Sequence, residues 1–297
     1  MRSSKTSIKS GLSHNMERLP TPSYIARCAT LAMVLEVTGT PKPGNIDREH
    51  DYADTKYEDF IAAAIGVYPV LERACRSDGI GQLILDASEE STSWQSGGNT
   101  HFGAYILLFP LIKAAAARPS DLQSTAIEIA RDTTVDDAVD FYKAFGKVQV
   151  KMKGSEELDV ADEKSLDDIR QRGLTLFNIL EISSKNDMVA REWVNGFARC
   201  FKAAELIAER RLTGTLNDSV VLTYLDLLAD EPDTFVAKKY DIDKAIYVQG
   251  LAIDVQERRM TLNELSNRLY WEKINPGSTA DIIIAGIFLA LIRGMRV

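Results

Sequence analysis

Lys42 stands between two prolines, and Asn45, Asp47, Arg48, His50 and Asp51 follow it within ten positions. Pro41 and Pro43 hold the backbone extended and limit where the Lys42 ammonium can point. Gly44 permits a turn with positive φ or a close backbone approach to a ligand. Together these residues offer cations for phosphate, an imidazole that titrates near neutrality, and carboxylates able to hold Mg²⁺. A rigid turn that ends a helix accounts for the prolines and the glycine. It does not account for the polar density after them. A second stretch, SGGNTHFGA from Ser96 to Ala104, leads into the apolar run Tyr105 to Ala117. Gly97 and Gly98 before a helix start leave backbone N–H groups free, and the helix dipole there favours an anion. Asn99 or Thr100 is positioned to cap, with His101 expected in the first turn. The GK[ST] ending of a P-loop is absent. A third stretch, NPGSTAD from Asn275 to Asp281, opens the final apolar segment. Pro276 and Gly277 set a turn, Ser278 or Thr279 is the expected cap, and Asp281 falls in the expected first turn. A carboxylate there follows from the dipole alone.

These loops need a scaffold, and from Pro22 onward the periodicity is helical. Ile25, Cys28, Ala29, Ala32, Leu35 and Glu36 recur at helical spacing. So do Phe60, Ala64, Ile65, Tyr68, Leu71 and Cys75, then Trp193, Phe197, Phe201 and Ala204, then Val248, Leu251, Ala252 and Val255. Such stripes are core faces. Thr261 with Glu264 reads as a capping box, and Thr134 with Asp137 and Ser165 with Asp168 resemble one. Val148 to Met152 has strand-like residues but sits among lysines and reads as loop, within a charged insertion from Lys147 to Glu163. No repeat is present. The expectation is an all-α fold: a disordered tail over 1–20, then one multi-helix domain over 21–297 whose polar loops form a single cleft.

The chain has 297 residues, a net charge of -8 and 45% hydrophobic residues, enough for a large core. The acidity argues against nucleic acid and anionic membrane as partners, since both need a positive field. Cys28, Cys75 and Cys200 are scattered and odd in number, which gives neither a disulfide framework nor a zinc site. They read as buried thiols in a reducing cytoplasm. Met1 to Asn15 lacks the apolar stretch of a signal peptide, and Ile282 to Ile292 is about half the length of a membrane span.

Taken in order, three motifs resemble those of the triphosphoribosyl-dephospho-CoA synthase family. They are Glu36 with Pro41-Lys42-Pro43-Gly44-Asn45 and Asp47, then Asn99-Thr100-His101 with Gly103-Ala104, then Asn275-Pro276-Gly277 with Ala280-Asp281. The resemblance implies an all-helical fold and a reaction of ATP with 3′-dephospho-CoA. Adenine leaves, and the triphosphoribosyl group joins a ribose 2′-hydroxyl. Phe102 stands where the synthases usually have lysine, and Ala190-Arg191-Glu192-Trp193 where they carry arginine-glycine-glutamate. His50-Asp51 and Tyr57 to Phe60 look more like an archaeal and methylotroph branch.

On residue chemistry and this analogy, Glu36, Asp47 and His101 are the expected catalytic groups, Glu36 stabilising a sugar cation and His101 moving a proton. Lys42, Arg48 and the Gly97-Gly98-Asn99 turn are expected on phosphate, with Gly44, Asn45, Thr100, Arg191, Asn275 and Gly277 completing the nucleotide site. Asp47, Asp51 and Asp281 are the expected Mg²⁺ ligands. The partners are then small nucleotides, with a homodimer left open. Two other readings remain: ribosyl or phosphoribosyl transfer to another acceptor such as a pterin-type C1 cofactor precursor, with phosphoribosyl pyrophosphate as donor, and a nucleotide-binding regulator without catalysis.

Overall fold

Thr21 accepts the amide of Tyr24 and Pro22 supplies a ready-made helical φ, so the first helix, α1 (Pro22–Thr38), starts where local chemistry favours it. The structure, a computed structural model, describes residues 20–76, 79–148 and 163–297. The expected tail over 1–20 lies outside these residues except for Pro20. After α1 come α2 (Tyr57–Gly66), α3 (Tyr68–Ala74), α4 (Ile80–Trp94), α5 (Phe102–Ala117), α6 (Leu122–Arg131), α7 (Val135–Val148) and α8 (Glu163–Arg172). The series continues with α9 (Leu176–Ser183), α10 (Met188–Val194), α11 (Ala198–Arg211) and α12 (Leu216–Asp230). It closes with α13 (Thr234–Lys239), α14 (Ile242–Gln256), α15 (Leu262–Trp271) and α16 (Gly277–Ile292). Among the described residues there is no strand, and the fold is all-α.

Two of these helices are apolar on every side and form the centre. In α16 every residue from Ile282 to Leu291 is buried, and α5 buries all but a few of its side chains. A helix without a polar face must be surrounded. Accordingly, α16 packs on α1, α5 and α11, and α5 on α6 and α4. Fully burying a leucine or isoleucine contributes roughly 1.5–3 kcal/mol, so these helices fix the axis around which the loops are arranged. One continuous core joins them.

Several local expectations change. The stripe from Phe60 to Cys75 spans two helices that meet at Val67, and its Ile65 is exposed. The stripe from Trp193 to Ala204 is broken between α10 and α11, where Gly196 and Phe197 both have positive φ. Its apolar residues are nevertheless buried on both sides of the break. Ser165 does not cap, because α8 already runs from Glu163. Thr134 and Asp137 do form a reciprocal pair before α7, and Thr261 and Glu264 before α15. Lys147 and Val148 are the end of α7, and the remainder of the expected insertion up to Glu163 lies outside the described residues, with the strand-like run. Cys28 and Cys200 are buried free thiols, while Cys75 is only partly buried.

Candidate functional site

The Pro-Lys-Pro-Gly loop leaves the end of α1 and is clamped on every side. The Asn217 side chain, in the first turn of α12, bridges the Thr40 amide and carbonyl at 2.9 and 2.7 Å. The Tyr224 hydroxyl of α12 donates to the Pro43 carbonyl at 2.9 Å and accepts from Asn45 Nδ2 at 2.7 Å. Tyr52 donates to the Gly44 carbonyl. Gly44 has φ +75, and a Cβ there would lie 2.2 Å from the Ile274 carbonyl oxygen. Gly44 thus has the positive φ expected of it, and its close approach is to the backbone just before the third loop rather than to a ligand. Asp47 is fully buried and holds the turn: its oxygens accept from the Lys42 and Glu49 amides at 3.0 and 2.9 Å and meet His50 Nδ1 at 2.9 Å.

Between the prolines, Lys42 turns inward. Its ammonium pairs with the Glu36 carboxylate and bonds the Glu36 carbonyl at 2.9 Å, and both residues are buried. Burial pushes the Glu36 carboxyl above the ordinary carboxylate range even though Lys42 pulls it down. Desolvation outweighs the ion pair here, as it often does for interior pairs.

In the second loop Asn99 Oδ1 accepts the Phe102 amide at 3.0 Å and caps α5. His101 thus lies just before the helix rather than in its first turn. It is 1% exposed, packs against the Phe60 edge at 5.1 Å, and neither ring nitrogen has a hydrogen-bond partner within the protein. Burial, and secondarily the Lys42 charge, push its pKa down to about 3. It is a neutral imidazole with unmet hydrogen-bonding capacity.

Gly103 brings the third loop in. A Cβ at this position would lie 2.1 Å from Asp281 Oδ2, so only glycine lets the start of α5 approach that carboxylate. Asp281 is the fifth residue of α16, just past the first turn in which it was expected. Burial, then the charges of Glu36, Asp233 and Asp187, drive its pKa well above the usual carboxylate value. The cap of α16 is neither Ser278 nor Thr279. Asp233 Oδ2 takes the Thr279 amide and hydroxyl, both at 2.7 Å, while Asp233 Oδ1 caps α13. Thr234 ties the Met188 amide to Ser278, and Asp187 caps α10 and pairs with Lys238. The N-termini of α10, α13 and α16 thus meet, and the start of α5 joins them where Gly103 lies against Asp281.

Glu36, Lys42, His101 and Asp281 are brought together, with Gly44 and Asn45 behind them. Gly97, Gly98, Asn99 and Thr100 form an outer edge: Asn99 and Gly98 are exposed, Gly97 abuts Asp59, and Thr100 lies 3.3 Å from Ser91. Asn275 Oδ1 is buried without a partner, and Gly277 lies against Phe235. Arg48 is exposed and reaches Thr40 and Asn217 at 3.4 Å. Asp51 is exposed and caps the Tyr57 amide at 2.8 Å. Arg191 is engaged elsewhere, with Glu231 at 2.6 Å and the Ser184 carbonyl. Glu192 is buried and caps α11 through the Cys200 amide. Among the described residues no three carboxylate, histidine or cysteine side chains stand together as a metal cage. Asp187 and Asp233 escaped the sequence reading, although each precedes an apolar run in the pattern of an N-cap. Tyr224 and Asn217 sit within a helical pattern and gave no signal.

A family model described as ATP:dephospho-CoA triphosphoribosyl transferase matches residues 22–296. Among curated proteins none matches the sequence significantly. Among solved structures, one from Archaeoglobus fulgidus, proposed to be a triphosphoribosyl-dephospho-CoA synthase, superposes with a TM-score of 0.67 at 28% identity. The match covers 80% of this chain and 100% of the other. The motifs that meet around Lys42, His101 and Asp281 therefore sit in a whole-chain likeness, and the chain belongs to the ATP:dephospho-CoA triphosphoribosyl transferase family.

Proposed function

We propose that Glu36, Lys42, His101 and Asp281 form the centre at which this transferase moves a triphosphoribosyl group from ATP to a ribose hydroxyl of dephospho-CoA. The observation that carries the assignment is His101: a buried imidazole with both nitrogens unpartnered, beside a buried lysine–glutamate pair. Buried polar groups are nearly always satisfied, so an orphaned ring is a place for a ligand. In the reaction the bond from C1 of the ATP ribose to adenine breaks, and a bond to the incoming hydroxyl forms. The sugar passes through a cation-like state, which a fixed carboxylate stabilises. Glu36, which is buried, and Asp281, half-buried against the start of α5, are the candidates. Neutral His101 takes the proton of the incoming hydroxyl, and the departing adenine carries an equivalent proton away, so that the bonds broken and made balance. Arg48 and the Gly97-Gly98-Asn99 edge before α5 are the groups that would meet the triphosphate.

Mg²⁺ is commonly held by one or two carboxylates plus substrate phosphates, without an all-protein cage. Asp281 fits that use, because its half-buried carboxylate lies against Gly103 at the start of α5 with no cation paired to it among the described residues. Asp47 has its oxygens committed to the loop, and Asp51 caps a helix. The ion would supply charge neutralisation on the phosphates. No helix among the described residues is long and apolar enough to cross a membrane.

The test is adenine release from ATP in the presence of dephospho-CoA. His101→Ala and Asp281→Asn should lower turnover by about 10²-fold or more. Turnover within threefold of the parent in both would overturn the assignment.

A further inference from the structure

A transferase that joins two nucleotides needs two nucleoside sites within reach of one reaction centre, and the loops above account for one. Beside them, between the end of α13 and the first turns of α14, lies an open concavity of about 440 Å³ lined by Tyr240, Asp241, Asp243, Lys244 and Tyr247. It connects to the centre through a short chain of contacts. Tyr240 donates to the Lys273 carbonyl at 2.7 Å, the next residue, Ile274, presses its carbonyl against Gly44, and Tyr52 bonds the Gly44 carbonyl.

We infer that this concavity holds the adenine end of the acceptor, dephospho-CoA, with its ribose turned toward Lys273 and the centre; the inference rests on the transferase reading given above. Two aromatic rings suit a planar base, since stacking on a tyrosine tolerates any orientation of substituents. Tyr247 is held in place by its hydroxyl on Glu272 at 3.0 Å and by Lys244, which lies 4.8 Å over one face of its ring. It remains 37% exposed, so the other face is open. Lys244 itself is tied to Glu272 at 2.7 Å, and Asp241 caps α14 through the Lys244 amide. With that lysine neutralised, the Asp241 and Asp243 carboxylates make the lining an acceptor of hydrogen bonds. An exocyclic amino group or a ribose hydroxyl is welcome there, and a phosphate is not. This polarity separates the concavity from the donor site, where Arg48 and the Gly97-Gly98-Asn99 turn before α5 are the groups proposed on the triphosphate.

Isothermal titration calorimetry on the full chain tests this with dephospho-CoA, its hypoxanthine analogue and ATP as separate probes. Tyr247→Ala should raise the Kd for dephospho-CoA roughly tenfold or more. Asp243→Asn, an isosteric change at an exposed position, should raise it severalfold. The hypoxanthine analogue should bind the parent more weakly than dephospho-CoA, and ATP should keep its affinity within twofold in both variants. Unchanged dephospho-CoA affinity in both variants would overturn the proposal and leave the transferase reading intact. Equal weakening of ATP and dephospho-CoA would also overturn it, because the site would not be acceptor-specific. If Tyr247→Ala does not fold, Asp243→Asn and the analogue decide. A parent protein that binds neither nucleotide would overturn both this proposal and the reading beneath it.

Discussion

The Lys42–Glu36 pair shows how function constrains single residues. Two charges without solvent are a poor way to stabilise a fold, but removing one of them is worse than removing both. Lys42→Met should therefore destabilise the protein by about 3–5 kcal/mol in urea titrations, and adding Glu36→Gln should restore part of the loss. Recovery of none of it would show that the carboxylate is not stranded by the first change. His101 makes a different demand. Its pKa falls from 6.5 to about 3 on folding, so the unfolded chain binds a proton that the native one refuses. The stability this histidine contributes is present above pH 6.5 and is lost as the pH falls toward 3, by up to about 1.4 kcal/mol per unit. Urea midpoints of the parent and His101→Phe should diverge in that window, the parent falling more steeply on acidification. Parallel curves would mean the ring is not buried and neutral. The candidate residues Glu36, Lys42, His101 and Asp281 were legible in sequence because Pro, Gly and Asn frame them. Their partners Asp187 and Asp233 were not, since a capping aspartate looks the same whether it faces solvent or another helix.

At the scale of elements, the site is made by glycines that let helices and loops touch. Gly103→Ala would drive a methyl into the Asp281 carboxylate and separate α5 from α16. Gly173→Ala, at a position outside the site, meets no neighbour and costs only the strain of its positive φ. Adenine release should fall at least about tenfold in the first variant and less than threefold in the second, consistent with how steeply rate depends on misplacement. The reverse order would refute the packing described for α5. The helices themselves were predictable wherever a stripe of apolar residues met a cap, as at Thr21, Thr134 and Thr261. Their breaks were not. Nothing in the spacing of Trp193, Phe197 and Phe201 reveals that Phe197 adopts a left-handed conformation and divides α10 from α11. Tertiary contacts decide that point: Glu192 folds back to accept the Cys200 amide.

For the molecule as a whole, α16 is the shared wall of α1, α5, α11 and the capped starts of α10 and α13. A polar substitution in that wall, such as Ile284→Asn or Leu289→Asn, should lower stability by several kcal/mol through an unsatisfied buried amide. The near- and far-ultraviolet unfolding curves should still coincide, because one continuous core links the helices. Separate transitions would divide the body into independent parts. The seam between α1 and α16 has a further consequence. These helices lie about 240 positions apart in the chain, whereas most helical proteins assemble from neighbours in sequence. Closing so long a loop is slow, since its entropy is lost before the contact repays it. Refolding after dilution from denaturant should thus be slower than helix content alone suggests. The centre around Lys42, whose walls come from both sides of that seam, should recover ligand binding only with the slowest phase.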